Sequence, residues 1–226
     1  MRVSMLLVIV LMTGLGCGST SGAKQEDRLN SGAVMKTVDG LTRTEIDMPG
    51  VLFIREDHGL GSYDAFRIPE ASISYRRGSR KLPEDMEATF MASLEQSLID
   101  AASEADIPIV QSEGDCVLQV AMGLTDVDIE RAKSRSIGHM TLVMEFRDTT
   151  SNEPLLRYAT RNTIKNEGSN EPRSELIGAA FDQMVEEMEI SGALRAAGLS
   201  NGEIRPGCQG TLAKRGQGTA PAVSAR

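Results

Sequence analysis

Apolar residues recur every four positions in two segments of the chain, and this spacing predicts two helices. The first helix follows Pro83, a residue suited to a first helical turn, and the acidic residues after it complement the positive end of a helix. It ends before Pro108, and its apolar face consists of Met86, Phe90, Leu94, Leu98 and Ala102. The second helix is predicted from near Pro172 to Gly198, with the apolar positions Leu176, Ala180, Met184 and Met188.

Other segments alternate apolar and polar residues with a period of two, which is typical of strands that bury one face. One predicted strand runs through residues 63–68 and continues over residues 71–75. Pro69 interrupts it, and because proline cannot donate to a strand ladder, this strand is predicted at a sheet edge or with a bulge. Further strands are predicted around residues 118–125, 141–147 and 155–164. The polar turn before the last strand contains Asn152, which tolerates a left-handed conformation, and predicts a hairpin.

This order of elements predicts an α+β fold over residues 51–197, with a single mixed or antiparallel sheet of about four strands packed by two helices. The predicted order is strand–helix–strand–strand–strand–helix. Residues 17–50 are polar and lack a sustained period, so they are predicted to form a flexible tether with a reach of roughly 30 Å. Residues 198–226 also lack apolar periodicity and are predicted to be a disordered tail.

The N-terminus has a positive start, an apolar run and a small-residue exit, which together describe a secretory signal peptide over residues 1–16. The apolar run is too short for a spanning helix, which needs about 20 residues. Gly16 and Cys17 resemble a bacterial lipobox, which implies cleavage after Gly16 and a fatty acyl group such as palmitate on Cys17. Gly14 stands where Leu is usual, and the alternatives are an ordinary signal cleaved elsewhere or an uncleaved anchor. Gly18, rather than Asp, follows the cysteine, which by the enterobacterial sorting pattern implies the outer membrane, facing the periplasm.

Charge and composition narrow the classes of function. The chain has 24 Lys and Arg residues against 32 Asp and Glu residues, a net charge of −8, and is 40% hydrophobic. These values exclude a wholly disordered chain and a polytopic membrane protein. An acidic chain without a long basic run is also a poor match for nucleic acid. The lipid anchor is therefore expected to hold the protein at the membrane, and an envelope protein that the sequence does not identify is the expected partner.

Several local patterns occur together in one known family. A strand ending in Pro, residues 63–69, precedes a helix start at Leu82-Pro83-Glu84, and a later strand ends in Arg147-Asp148 before a polar turn. Over about residues 50–190, and in its lipobox, the chain resembles the bacterial lipoproteins classed as domain-of-unknown-function family 3313. The resemblance implies secretion, lipid anchoring and a small α+β domain, and it supplies no catalytic residues. Related families often have Gly where Asn152 stands.

Catalytic and metal-binding motifs are not found in the sequence. His58 and His139 have no companion at the spacing of a zinc site and are predicted as a solvated residue and a rim residue, respectively. Asp126, Asp128 and Glu130 alternate but lack the other ligands of an EF-hand calcium loop, so they are predicted at an exposed hairpin end. Several Met residues lie on predicted buried stripes, which favours core packing over copper binding. No cofactor, metal ion or catalytic residue is therefore expected.

Two groups of residues are candidates for a specific role. Cys116 and Cys208 remain once Cys17 is acylated, and in an oxidising compartment they could pair or stay as free thiols. The other group is a basic loop that contains Arg76, Arg77, Arg80 and Lys81. This loop is either simply solvated or docks an acidic partner or a phosphate group. The favoured function is a non-enzymatic envelope module for binding or assembly; the alternatives are a periplasmic module that binds a small ligand or lipid, and a hydrolase with an unrecognised site.

Overall fold

A mixed sheet of seven strands organises the fold in the computed structural model, which describes residues 36–47, 49–129, 136–165, 173–187 and 204–216. In chain order the strands are β1 (Thr42–Thr44), β2 (Val51–Ile54), β3 (Ala65–Arg67), β4 (Ser72–Tyr75), β5 (Val117–Ile129), β6 (Ser136–Asp148) and β7 (Pro154–Lys165). Across the sheet the order is β1, β2, β7, β6, β5 and β3, with β4 also beside β5. β3 and β4 run parallel to β5, and the other neighbouring strands are antiparallel. The helices among the described residues are α1 (Glu84–Glu104), α2 (Arg173–Glu186), the short α3 (Thr211–Gly216) and one 3-10 turn (Leu60–Ser62).

The sheet is larger than the sequence pattern predicts. The fold is α+β, but the prediction of about four strands and two helices is wrong, because the sheet has seven strands and α3 follows α2. β1 and β2 contain only three and four residues, too few to show a period, and β1 lies in the segment predicted to be a tether. The predicted first strand is divided into β3 and β4, which lie one after the other along β5, with Pro69 between them.

Alternate residues of the long strands bury one face of the sheet. The buried positions of β5 and β6 include Leu118, Val120, Met122, Leu124, Met140, Leu142, Met144 and Phe146. The side chains between them, such as Gln119 and Thr141, are partly exposed on the opposite face. α1 contacts β5 and α2 contacts β7, and Phe90 of α1 stacks on Phe181 of α2 with ring centroids 4.0 Å apart. The core therefore lies between one face of the sheet and the two long helices.

α1 begins and ends where the sequence predicts. Pro83 immediately precedes it, and Glu84, Asp85 and Glu87 occupy its first turn, where carboxylates interact favourably with the helix dipole. After Glu104 the chain leaves the helix through Asp106, whose φ of 55° is left-handed and cannot continue an α-helix.

Residues 204–216 pack against the domain, although the sequence pattern predicts a disordered tail there. Leu212 is 1% exposed, and its amide donates to the carbonyl of Tyr63 at 3.1 Å. α3 has six residues, which is too short for a periodic pattern to be recognised. The segment is held instead by contacts with residues far away in sequence, which no local pattern reveals.

The N-terminal predictions concern residues outside the described part of the chain. Residues 1–35, with the predicted signal peptide, Gly16 and Cys17, are not described by the structure. Within the described ranges, no helix is both long enough and apolar enough to cross a membrane.

Two glycines provide a matched test of how closely β4 approaches β5. A Cβ atom at Gly123 would lie 2.7 Å from the backbone oxygen of Ser72, whereas one at Gly178 in α2 would meet nothing within 4 Å. We expect Gly123→Ala to lower the free energy of unfolding by about 1–3 kcal/mol, because β4 must move. Gly178→Ala should raise it by about 0.5–1 kcal/mol, because alanine is the better helix former. Urea unfolding of both variants measures these changes, and equal stabilities would contradict the close approach.

Candidate functional site

The basic loop connects β4 to α1 in a defined turn. Gly78 has a φ of 84°, which favours glycine, and the amide of Ser79 donates to the carbonyl of Arg76 at 2.9 Å. The hydroxyl oxygen of Ser79 accepts a hydrogen bond from the amide of Ile129 at 2.9 Å. This contact attaches the loop to the end of β5.

Tyr75, at the end of β4, holds the loop where it joins α1. Its hydroxyl accepts a hydrogen bond from the amide of Leu82 at 3.1 Å and donates one to the carboxylate of Glu87 in α1. Burial, followed by the hydrogen bond to Glu87, raises the pKa of Tyr75 to about 12. The hydroxyl therefore keeps its proton at neutral pH, and the loop conformation is set by contacts within the protein.

The cations of this loop have different surroundings. Arg76 lies 3.9 Å from a carboxylate oxygen of Asp126 and 3.3 Å from one of Asp128. No hydrogen bond or ion pair to a described residue involves the side chains of Arg77, Arg80 and Lys81. The predicted docking loop thus contains one neutralised cation and three whose charge is uncompensated within the described ranges.

A groove of about 410 Å³ lies beside the second half of the loop, between the starts of α1 and α2 and the end of β5. Its lining consists of Arg80, Lys81, Leu82, Pro83, Met86, Ile129, Ser174 and Ile177. Leu82, Ile129 and Ile177 are only 5–7% exposed and form an aliphatic floor. The described lining contains two cations and no carboxylate, so the groove combines an apolar surface with uncompensated positive charge.

A second groove, of about 460 Å³, lies where β2 begins beside β7 and the end of α2. Its charged lining residues already have partners. Arg161 lies 3.7 Å from Asp126, and Glu187 accepts a hydrogen bond from Gln183 at 2.7 Å. Its charged side chains are therefore less available to a ligand than Arg80 and Lys81 in the groove beside the basic loop.

Asp126 is the centre of a group of ion pairs at an irregularity in β5. Its φ of 51° coincides with a shift of register between β5 and β6. Its carboxylate lies 3.2 Å from Nε2 of His139, in addition to its contacts with Arg76 and Arg161. The side chain of His139, predicted at a rim, is 12% exposed. Asp126 and Asp128 therefore both have charge partners within the protein, and the partner of Asp128 is Arg76. Glu130 lies outside the described residues.

His58 differs from its prediction as a solvated residue, because it is only 8% exposed. Its Nδ1 accepts a hydrogen bond from the amide of Leu60 at 3.1 Å, at the start of the 3-10 turn. The charged neighbours of His58 predict solvent exposure, but its ring is buried and accepts a hydrogen bond from the backbone two residues later.

Cys116 and Cys208, which the sequence left either paired or free, form a disulfide that joins the start of β5 to the segment before α3. Asp64 supports the same connection: it accepts hydrogen bonds from the amide of Gln209 at 2.8 Å and that of Thr211 at 2.9 Å. Burial opposes ionisation of Asp64, but these hydrogen bonds lower its pKa overall. The carboxylate and both sulfurs are close enough to hold a metal ion, yet sulfurs in a disulfide are not thiolate ligands.

The carboxylate of Asp148, which the sequence did not identify as important, is buried at the end of β6. One oxygen accepts hydrogen bonds from the hydroxyl of Tyr63 at 2.6 Å and from the guanidinium of Arg205. The other oxygen accepts them from the amides of Thr150 and Ser151, both at 2.8 Å. Burial would raise the pKa of Asp148, but the hydrogen bonds, led by that of Tyr63, lower it to about 2.

This arrangement indicates a structural role for Asp148. A hydrolase would need a buried, pKa-shifted group beside a nucleophile in a pocket. Asp148 is buried and its pKa is shifted, but its two carboxylate oxygens already accept four hydrogen bonds. Asp148 also lines neither groove. Arg205 also lies over the ring of Tyr63, 4.8 Å from its centroid, and so connects the C-terminal segment to the domain.

Comparison with known proteins does not assign the chain to a family. No family model matches, and no curated protein matches. Among solved structures, PelC from Paraburkholderia phytofirmans, a dodecamer, is 7% identical with a TM-score of 0.32, over 66% of this chain and 98% of that one. A Xanthomonas campestris protein of family DUF330 is 12% identical with a TM-score of 0.36, over 68% and 85%. A minor lipoprotein from Acinetobacter baumannii is 14% identical with a TM-score of 0.27, over 51% and 87%. Similarities this low support no inference about this chain.

Acid unfolding tests the role of Asp148. Its pKa of about 2 in the folded protein lies below the ordinary value of 3.8, so the unfolded state takes up the proton first as the pH falls. This difference stabilises the fold by about 2 kcal/mol at neutral pH, and the contribution is lost between about pH 4 and pH 2. Asp148→Asn should lower the stability at neutral pH and flatten its decline over that interval. The exposed Asp57→Asn is the control, and a pH profile unchanged by Asp148→Asn would contradict the assignment.

Removal of the disulfide tests the attachment of the C-terminal segment. The bond joins cysteines 92 residues apart, and a closed loop of this length contributes about 4–5 kcal/mol in the chain-entropy model. The double variant Cys116→Ser, Cys208→Ser should lose stability on this scale and be cleaved faster by protease near residues 204–216. Alkylation of the wild-type protein without reductant should leave both cysteines unmodified, and modification of both would show that the bond is absent.

Proposed function

We propose that this protein is a membrane-anchored bacterial envelope lipoprotein that works as a non-enzymatic binding module. The observation that carries the proposal is the groove beside the basic loop. Arg80 and Lys81 lie at its mouth without an ion-pair partner among the described residues, above a floor of buried aliphatic side chains.

The charge of the groove favours binding over a purely structural role. Elsewhere in the domain, Arg76, Arg147 and Arg157 each contact a carboxylate. A bound anion would provide Arg80 and Lys81 with the same compensation, through charge-assisted hydrogen bonds. The volume of about 410 Å³ also lies within the range of small-ligand pockets, about 300–1,000 Å³.

The envelope location has separate support. The disulfide between Cys116 and Cys208 suits the oxidising periplasm, because structural disulfides are rare in the reducing cytosol. The anchor itself depends on Gly16 and Cys17, outside the described residues. We propose that acylation of Cys17 attaches the domain to the outer membrane, with the groove facing the periplasm.

In-cell photocrosslinking of the natively processed protein tests the proposal. A photoreactive amino acid is placed either at position 174, which lines the groove, or at position 77, which is in the basic loop but does not line the groove. We expect one discrete adduct from position 174, identified by mass spectrometry, and none from position 77. Both positions are exposed, so neither change should affect folding.

Cys17→Ala provides the control for anchoring. This variant should lose metabolic labelling with a fatty acid and should leave the membrane fraction. Unchanged partitioning of Cys17→Ala would overturn the anchor, and the same scattered adducts from positions 77 and 174 would overturn the groove as the binding site.

A further inference from the structure

We infer that the groove binds a single-chain amphiphile with an anionic head group, either a fatty acid or an alkyl phosphate. The inference rests on the proposed function, because it names the ligand class of the same groove. The head group would be held by Arg80 and Lys81, and the chain would lie along the floor of Leu82, Ile129 and Ile177.

The positive charge at the mouth selects the head group. The lining contains a guanidinium and an ammonium, with no carboxylate among its described residues to neutralise them. An arginine side chain can donate two parallel hydrogen bonds to a carboxylate or a phosphate, and lysine adds a compact positive charge. The loop is already fixed by the contacts of Ser79 and Tyr75, so binding requires little ordering of the backbone.

The floor selects an alkyl chain over a sugar or a base. Its side chains are aliphatic, and the described residues of the lining include no aromatic ring on which a sugar or a base could stack. Ser174 supplies the one hydroxyl group of the described lining. Met86, half-buried at the side, is unbranched and flexible, so it can adapt to a chain of variable shape.

The size of the groove distinguishes a small amphiphile from a protein segment. A stable protein interface uses about 20–30 residues on each side. Eight of the described residues line the groove, and its volume is that of a small-molecule site. An acidic peptide would leave most of its own surface without a counterpart in this groove.

Photoaffinity labelling of the natively anchored, full-length protein in neutral phosphatidylcholine vesicles tests the ligand class. The probes carry the same diazirine-bearing dodecyl chain and differ in the head group: carboxylate, phosphate, alcohol or trimethylammonium. Peptide mapping measures labelling of the residues that line the groove. We expect at least one anionic probe to label them about tenfold more than the alcohol and the ammonium probes, the scale of one charge-assisted hydrogen bond. The stronger of the two anionic probes identifies the head group.

Matched variants assign the effect to the groove. The double variant Arg80→Gln, Lys81→Gln should remove the preference for the anionic probes without removing labelling by the alcohol. Arg77→Gln, which deletes one charge of the same loop outside the groove, should keep the preference. Met86→Gln should reduce labelling by all four probes, because it makes the wall of the groove polar.

The outcomes separate this inference from the proposed function. Equal labelling by all four probes, or a preference that survives Arg80→Gln, Lys81→Gln, would overturn the anionic class while leaving the groove as a binding site. No labelling of the groove, together with a discrete adduct of another class from position 174, would overturn the inference but not the proposed function. If position 174 also gives no discrete adduct, both are overturned.

Discussion

The parallel pairing along the outer edge of β5 determines where the basic loop and the groove beside it can form. β5 has 13 residues and pairs first with β3 and then with β4. Because β4 runs in the same direction as β5, the chain leaves β4 at the end of the sheet where β5 also ends. The basic loop therefore emerges beside Ile129 and can bond to it through Ser79. An antiparallel β4 would release the loop at the opposite end, away from Ile129 and Ile177.

The contacts that hold the C-terminal segment and the groove beside the basic loop lie at opposite ends of β5. The disulfide of Cys116 and the buried carboxylate of Asp148 lie at the start of β5, whereas the groove lies at its end. A strand of this length spans about 40 Å. A buried carboxylate is costly unless it is fully hydrogen-bonded, and Asp148 meets this condition with donors from its own turn, from Tyr63 and from the C-terminal segment. One group thus joins three parts of the chain that are distant in sequence.

The local sequence pattern is sufficient to predict the long elements and the turn at Asn152. α1 and the strands β5, β6 and β7 repeat their pattern often enough to be recognised, and Asn152 has the left-handed φ, 58°, that its turn predicts. β1 and β2 are too short to repeat any pattern. The C-terminal segment depends on pairs such as Asp64 and Thr211, which are 147 residues apart.

The groove could be predicted only in part. Its cations are adjacent in sequence, and the basic loop was therefore a candidate. Its floor combines Leu82 of the basic loop, Ile129 of β5 and Ile177 of α2, and only the folded structure brings them together. Which loop cations remain uncompensated also depends on the fold, because Arg76 is neutralised by residues of β5.

The order of strands has a mechanical consequence for a protein held through Cys17. The described chain enters the sheet at β1, which is one edge, while the strands that lead to the basic loop lie at the other edge. Tension transmitted through the N-terminus would therefore act first on the ladders between β1 and β2 and between β2 and β7. These ladders have only three and four residue pairs. β5, β6 and α2 lie within the loop that the disulfide closes, so pulling at the N-terminus loads none of them directly. Such a load would reach the groove only after the ladders of β1 and β2 have opened. Its residues 80–86 follow both strands in the chain, and Ile129, Ser174 and Ile177 lie within the disulfide loop.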